Sequence, residues 1–306
     1  MSDHPTNVNP TLSVAVAENA MLEWADDGWL GRLRRNRLAL VGTAGIALFL
    51  SVGLFAPRVE PYPWSQFDLA HRLSSPTLDH VFGTDQFGRD ILSRTIYGAR
   101  VSMLVALTAT AIGTVGGVLV GTAAGFLDGW IDELSMRTMD IILAFPQIVL
   151  AIAVAALLGP SLINVIWIVG LLMVPQFARV TRGSVIGVMN LEYITATRAI
   201  GQSEVMIVVR HILPNIVGPL IVLASLAIPG AIITEAALSF LGAGVQLPEP
   251  SWGNLLSGGN AYLLQAPWLS IFPGLAITLC VLSFNLLGDG LRDALDVAGG
   301  RAGRRS

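Results

Sequence analysis

Six uncharged, largely apolar runs divide this chain: Leu38–Ala56, Val101–Phe126, Ile141–Gly159, Ser161–Ala178, Ile216–Thr234 and Leu269–Gly288. Each is long enough to cross a hydrocarbon core of about 30 Å as a helix. The pattern predicts an all-α integral membrane protein with six transmembrane helices. A secretory signal peptide is the rival reading of the first run. The long leader before it disfavours that reading, as does an apolar stretch longer than the usual ~7–15 residues.

The polar segments between the runs set the organisation. Residues 1–37 read as a polar tail, mostly disordered with one weakly helical stretch from Val14 to Trp29. Residues 57–100 are a loop broken by Pro57, Pro61, Pro63 and Pro76. Residues 101–290 form a five-helix core. Within it, Asp128 to Asp140 is a short charged connection that places Glu133 and Arg137 for an i,i+4 pair. Gly159-Pro160 is a tight turn, residues 179–215 a central loop, and residues 235–268 a second long loop rich in glycine and proline. Residues 291–306 are a polar tail. Gly113, Gly117, Gly121 and Gly125 recur at every fourth position of the second run. This spacing suits a helix–helix seam as well as a merely glycine-rich helix. Pro146, Pro175, Pro219 and Pro229 read as breaks in spans, as occur where backbone lines a cavity.

Composition agrees with a membrane protein: 53% of residues are hydrophobic, 13% are charged, and the mean hydropathy is +0.67. All 18 basic residues are arginine. Without lysine the chain encodes neither a P-loop nor a Schiff-base amine. The single Cys280 permits no internal disulfide, and the four histidines lack metal-ligand spacing.

Arginine distribution orients the chain. With the N-terminus inside, 13 arginines lie in cytoplasmic segments (32, 34, 35, 37, 137, 179, 182, 198, 210, 292, 301, 304 and 305) and 5 outside (58, 72, 89, 94 and 100). The positive-inside rule then places both termini and the central loop in the cytoplasm, with 57–100 and 235–268 outside.

The central loop is too long for a simple connection. Met189, Tyr193, Ala196 and Ile200 give one helix an apolar stripe. Gly201 suits its C-cap, Ser203 with Glu204 suits the start of a second helix, and Leu213-Pro214 suits that helix's end. Two short helices at an angle are expected. Periodicity alone leaves open whether the stripe packs on the chain's own helix ends or faces a partner.

This stretch resembles the cytoplasmic loop of ABC importer permeases, whose pattern is Glu-Ala-Ala, three residues, Gly, nine residues, then Ile-x-Leu-Pro. Ala196, Gly201, Leu213 and Pro214 match; Thr195, Thr197 and His211 depart from the pattern. Further segments resemble the dipeptide/oligopeptide branch: Gly83-Thr-Asp85 with Gly88-Arg-Asp90 and Ser93-Arg94; Asp132, Met136-Arg137, Asp140 and Leu143-Ala-Phe-Pro146; Arg210-His-Ile-Leu-Pro-Asn215; and Glu235 to Gly242 followed by Pro250-Ser-Trp-Gly253. Together they are similar to the "C" permease subunit of that family. The resemblance implies a type I importer core in a prokaryotic cytoplasmic membrane. It also implies a homologous permease partner, two ATP-binding domains and an extracytoplasmic solute-binding protein, in contact with lipid but not nucleic acid. No cofactor is expected on this chain, since ATP and Mg belong to the partner subunits. The implied cargo is a short peptide, with nickel, glutathione or haem as alternatives within the same class. Glu192, Tyr193, Thr195, Ala196, Thr197, Arg198, Ile200 and Gly201 are then the coupling residues, with Leu213 and Pro214 at the loop end. Gly201→Asp is expected to uncouple transport.

Outside this loop, Arg89, Asp90 and Arg94 read either as a helix anchor or as a contact for substrate or a docking protein. Glu235, at the outer end of the fifth run, reads as a pathway residue or a boundary charge. Asn164 and Asn285 suit hydrogen bonds across helices; Trp167, Trp252 and Trp268 suit interfacial anchoring or packing. Two other classes fit less well. A secondary transporter predicts paired acids within the spans, whose cores are uncharged. A membrane enzyme needs a reactive constellation at one depth, and none is apparent.

Overall fold

The computed structural model describes residues 29–302, with side chains through 295. The predicted tail residues 1–28, and so nearly all of the Val14 to Trp29 stretch, lie outside the described residues. The described chain is helical. It has no strand, only one antiparallel bridge between Thr84 and Asp90. Five helices are long and apolar enough to cross a membrane, and a sixth crossing exists if one sharply bent pair is counted as a span.

A short helix α1 (Trp29–Arg35) precedes α2 (Arg37–Val59), whose start is fixed by Asn36 accepting from the N–H groups of Leu38 and Ala39. Helix α3 (Ile91–Leu127) begins ten residues earlier than the 57–100 loop implied. Asp90 caps it, accepting from the Ser93 N–H at 2.7 Å, so residues 91–100 are helical rather than loop.

The charged connection at 128–140 is itself a helix, α4 (Gly129–Leu143), and the expected Glu133–Arg137 pair lies on its exposed face at 3.0 Å. Helix α5 (Gln147–Leu158) follows at 90°. The third run is therefore not one straight crossing. Pro146 lacks the N–H needed to continue α4 and disfavours helical geometry in the residue before it. Of the four prolines read as breaks, only Pro146 sits at one. Pro175, Pro219 and Pro229 lie inside continuous helices, where neighbouring helices tolerate the lost bonds.

Helix α6 (Leu162–Met189) opens at Ser161 after Gly159 (φ +81°), as the turn signal suggested, but runs eleven residues past Ala178 into the expected central loop. Its polar end is held by ion pairs to α4, Arg182 with Asp132 and Arg179 with Asp140. Helices α7 (Glu192–Ala199) and α8 (Glu204–Ile207) follow. Leu213-Pro214 does not end the second helix. The chain passes through one π-helical turn, Val208–Ile212, and continues into α9 (Leu213–Phe240). The Leu213 N–H reaches the Val208 carbonyl, and Pro214 takes a first-turn position where an N–H is dispensable.

Helix α9 extends past Thr234, so Glu235–Phe240 belong to a helix and not to the outer loop. That loop also contains α10 (Trp252–Asn260), started by a reciprocal Ser251/Asn254 capping box. Helix α11 (Trp268–Ala302) runs into the expected C-terminal tail as far as Ala302. Gly290 meets Ala39 and the Arg32 guanidinium donates to the Ala294 carbonyl, so α1 and α2 support its polar end.

Packing centres on α3 and α6. A Cβ on Gly113 would stand 2.7 Å from the Met173 Cβ, and one on Gly117 or Gly121 would strike Phe177 or the Ala178 carbonyl. The four-residue glycine repeat is thus a real seam. In lipid, where burying apolar surface gains little, close backbone approach supplies dispersion contacts instead. Helices α2, α9 and α11 pack around this pair.

Candidate functional site

The site best developed by the fold is the hairpin joining α6 to α9. Helix α6 stops at Met189. Leu191 is extended (ψ 138°), and α7 starts in a new direction at Glu192. Met189 therefore does not share a helix face with Tyr193, Ala196 and Ile200, which corrects the predicted stripe. The residue that seats α7 is Ile194, wholly buried in one core with Ile207, Ile212 and Ile216. Sequence reasoning missed Ile194 because it followed only the longest apolar stripe. Position 194 lies off that stripe, and its signal was the isoleucine series at the feet of α8 and α9.

Because Ile194 takes the inward position, the stripe turns outward. Tyr193 is 41% and Ile200 83% exposed, and Leu191, Val205 and Met206 are exposed beside them. Ala196 and Thr195 are also exposed. The end of α7 is set by Gly201 at φ +83°. Its N–H bonds the Arg198 carbonyl at 2.9 Å, and the Gln202 N–H reaches back to the Thr197 carbonyl at 3.3 Å. The predicted C-cap is present in this geometry. Ser203 is the N-cap position of α8, without a side-chain capping bond.

Polar contacts hold the hairpin to α9. Arg198 bridges α7 to α8 by pairing with Glu204 at 3.2 Å. Asn215 Nδ2 donates to the Tyr193 hydroxyl at 3.2 Å, and His211 Nε2 lies 3.1 Å from Gln202 Oε1. The Thr197 hydroxyl donates to the Tyr193 carbonyl. Glu192 and Thr195 make no side-chain hydrogen bond among the described residues, so both remain available to a partner. Leu213 and Pro214, predicted as the loop end, form the root of α9.

A second polar assembly lies at the opposite end of α9. Twenty-four residues separate His211 from Glu235, about 36 Å along a helix at ~1.5 Å per residue. Glu235 is completely buried and accepts from the Ser102 hydroxyl at 2.9 Å and the Ser239 hydroxyl at 2.7 Å. Ser102 Oγ accepts from the Trp252 N–H, whose indole Nε1 donates to the Thr95 carbonyl. Glu235 thus ties α3, α9 and α10 together. Trp252 is fully buried against Phe49 rather than interfacial.

Arg89 and Asp90 serve the local structure. Arg89 Nε donates to Asp85 Oδ2 at 2.6 Å, with its guanidinium over the Phe87 ring at 4.7 Å. Asp90 caps α3 and faces His80 Nδ1 at 3.0 Å. Arg94 is buried and donates to the Trp64 carbonyl at 3.2 Å. Asn164 turns back to the Leu158 and Gly159 carbonyls instead of crossing to another helix. Among the described residues no group of three or more His, Cys, Asp or Glu side chains could hold a metal.

Comparison with known proteins gives two family matches. Residues 117–298 match the binding-protein-dependent transport system inner membrane component family. Residues 24–76 match the N-terminal TM domain of oligopeptide transport permease C. The dipeptide transport system permease protein DppC of Alkalihalophilus pseudofirmus is 45% identical over 265 residues, covering 87% of each chain. The glutathione transport system permease protein GsiD of Escherichia coli O1:K1 is 44% identical over 266 residues, covering 87% of this chain and 88% of the relative. The GsiD of Shigella boydii serotype 4 is similar to the same extent.

Proposed function

The chain belongs to the family of binding-protein-dependent transport system inner membrane components, and from that premise we propose that it imports short peptides by alternating access. In this reading an extracytoplasmic binding protein delivers the peptide. A homologous permease subunit completes the pathway, and two ATP-binding domains supply the energy. The chain lies in a prokaryotic cytoplasmic membrane with both termini cytoplasmic. ATP hydrolysis falls to those partner domains, in keeping with a chain that without lysine encodes no P-loop.

One observation carries the reading: α7 is seated from below by buried Ile194 and presents Tyr193 and Ile200 outward. Ala196, Thr195, Thr197 and Glu192 complete the coupling surface, Arg198 and Gly201 fix its end, and the root at Leu213 and Pro214 carries its movement into α9. A partner gripping this surface moves a rigid unit, so closure of the ATP-binding domains becomes a rigid-body displacement of membrane helices. A peptide cargo is favoured by the relative named for dipeptide transport. The relatives named for glutathione transport favour a related tripeptide-like cargo as the second reading.

The test is purification of the complex from membranes. ATPase activity that rises with binding protein and dipeptide together supports the proposal. Transport by this chain alone under an ion gradient contradicts it.

A further inference from the structure

We propose that the cavity beside Arg94 binds the free carboxylate of a small solute. This cavity, of about 260 Å³, lies where the segment before α3 meets the outer loop and α10. Its charged wall groups are Asp85, Arg89 and Arg94, and Ser257 and Gly258 of α10 face them.

The charges on that wall are not equally satisfied. Asp85 is fully engaged: Oδ1 accepts from the N–H groups of Phe87 and Arg89 at 2.8 and 2.9 Å, and Oδ2 takes Arg89 Nε at 2.6 Å. Arg89 and Asp85 therefore neutralise each other. Arg94 is 1% exposed and makes one hydrogen bond among the described residues, from Nη1 to the Trp64 carbonyl. Its Nε has no acceptor, and the nearest carboxylate oxygen among the described residues, Asp85 Oδ2, stands 3.9 Å away. A buried guanidinium with most of its five N–H donors unused is costly unless an anion completes it.

The chemistry of the wall selects the anion. A planar guanidinium matches a carboxylate through two parallel hydrogen bonds. Two arginines and one aspartate leave a single positive charge, which suits a monoanion better than a phosphate dianion. The Ser257 hydroxyl and Gln86 amide also line the cavity, make no side-chain hydrogen bond among the described residues, and supply further neutral donors. The volume is below the ~300 Å³ of typical drug-sized pockets, which limits the ligand to a group of one or two amino-acid residues. Arg94 is too deeply buried to meet a protein surface, so the carboxylate belongs to a small molecule.

The test uses the intact complex in nanodiscs without binding protein or nucleotide, with thermal unfolding as the readout and N-acetylalanine and N-acetylalanine amide as probes at equal ionic strength. N-acetylalanine at about ten times its Kd should raise Tm by about 2 °C or more, and the amide should not. Arg94→Gln should abolish the shift and Arg94→Lys should retain part of it. Gly258→Leu provides an independent variant, because a Cβ at Gly258 meets nothing within 4 Å and the side chain can fill the cavity while leaving Arg94 intact. It too should abolish the response. Equal shifts from acid and amide would overturn the proposal, as would an Arg94→Gln or Gly258→Leu complex that still responds. The absence of any shift with N-acetylalanine would also overturn it. The proposal relies on the import reading only for the side of the membrane it faces. The readout involves neither ATP nor transport, so failure of one leaves the other testable.

Discussion

The Tyr193 hydroxyl accepts a hydrogen bond from Asn215 Nδ2 across 3.2 Å, joining a short helix outside the membrane bundle to the first turn of a long helix within it. The same Asn215 nitrogen donates to the His211 carbonyl at 2.6 Å, beside the π-helical turn. The junction therefore has few degrees of freedom: a side-chain bond above, a buried isoleucine below and a glycine cap at the far end. Tyr193→Phe should cost about 0.5–1.5 kcal/mol of stability, the net value of one such bond. It should reduce transport per ATP hydrolysed more than it reduces ATP hydrolysis. An unchanged transport-to-hydrolysis ratio would remove this bond from the coupling path.

Ile194 and Ile200 differ by burial, 0% against 83% exposed, and should differ in consequence. Ile194→Ala should lower stability by about 2–4 kcal/mol through a cavity under α7. Ile200→Ser should leave stability within about 0.5 kcal/mol, as surface changes do, yet reduce recovery of the ATP-binding subunit on purification. Thermal unfolding and subunit stoichiometry of the two variants provide the comparison. Equal stability losses would mean that α7 is not oriented as described.

Gly117→Val should prevent α3 from closing on α6, because its Cβ would fall on Phe177 and stand 2.9 Å from the Ala178 nitrogen. A loss of about 3 kcal/mol or more is expected. Gly183→Ala, on α6 itself with nothing within 4 Å of the new Cβ, should be neutral or stabilising by about 0.5–1 kcal/mol. Protease resistance in membranes distinguishes the two outcomes.

Glu235→Leu should leave the Ser102 and Ser239 hydroxyls buried without their acceptor, at about 1–3 kcal/mol for each group. Glu235→Gln retains an oxygen acceptor and should cost less. A glutamine variant as unstable as the leucine variant would mean that the carboxylate does more than join the three helices.

The parts of the fold that hydrophobicity dictates were legible in the sequence. The apolar runs lie in helices, the four-residue glycine repeat is a seam, and Gly201 and Glu133–Arg137 occupy their expected roles. Helix ends were less legible, because a charge ends an apolar run without ending a helix. Arg179 and Arg182 are paired across to Asp140 and Asp132, so α6 continues through them. Proline was ambiguous for a related reason. Pro146 sits at a 90° break while Pro214 enters a helix, and the difference lies in the π-helical turn that precedes Pro214. In the hairpin, spacing grouped Tyr193, Ala196 and Ile200 in one stripe but left open which way it turns, and the structure turns it outward. Ile194 was not evident, because its burial depends on isoleucines contributed by two later segments.

The central claim is that the exposed tip of α7 contacts an ATP-binding subunit. A photo-crosslinking side chain placed at Ile200 of the intact complex in native membranes tests it most directly, with mass spectrometry of the adduct. The account predicts an adduct with the ATP-binding subunit whose yield changes when nucleotide is added. An adduct with the extracytoplasmic binding protein, or with lipid alone, would contradict it.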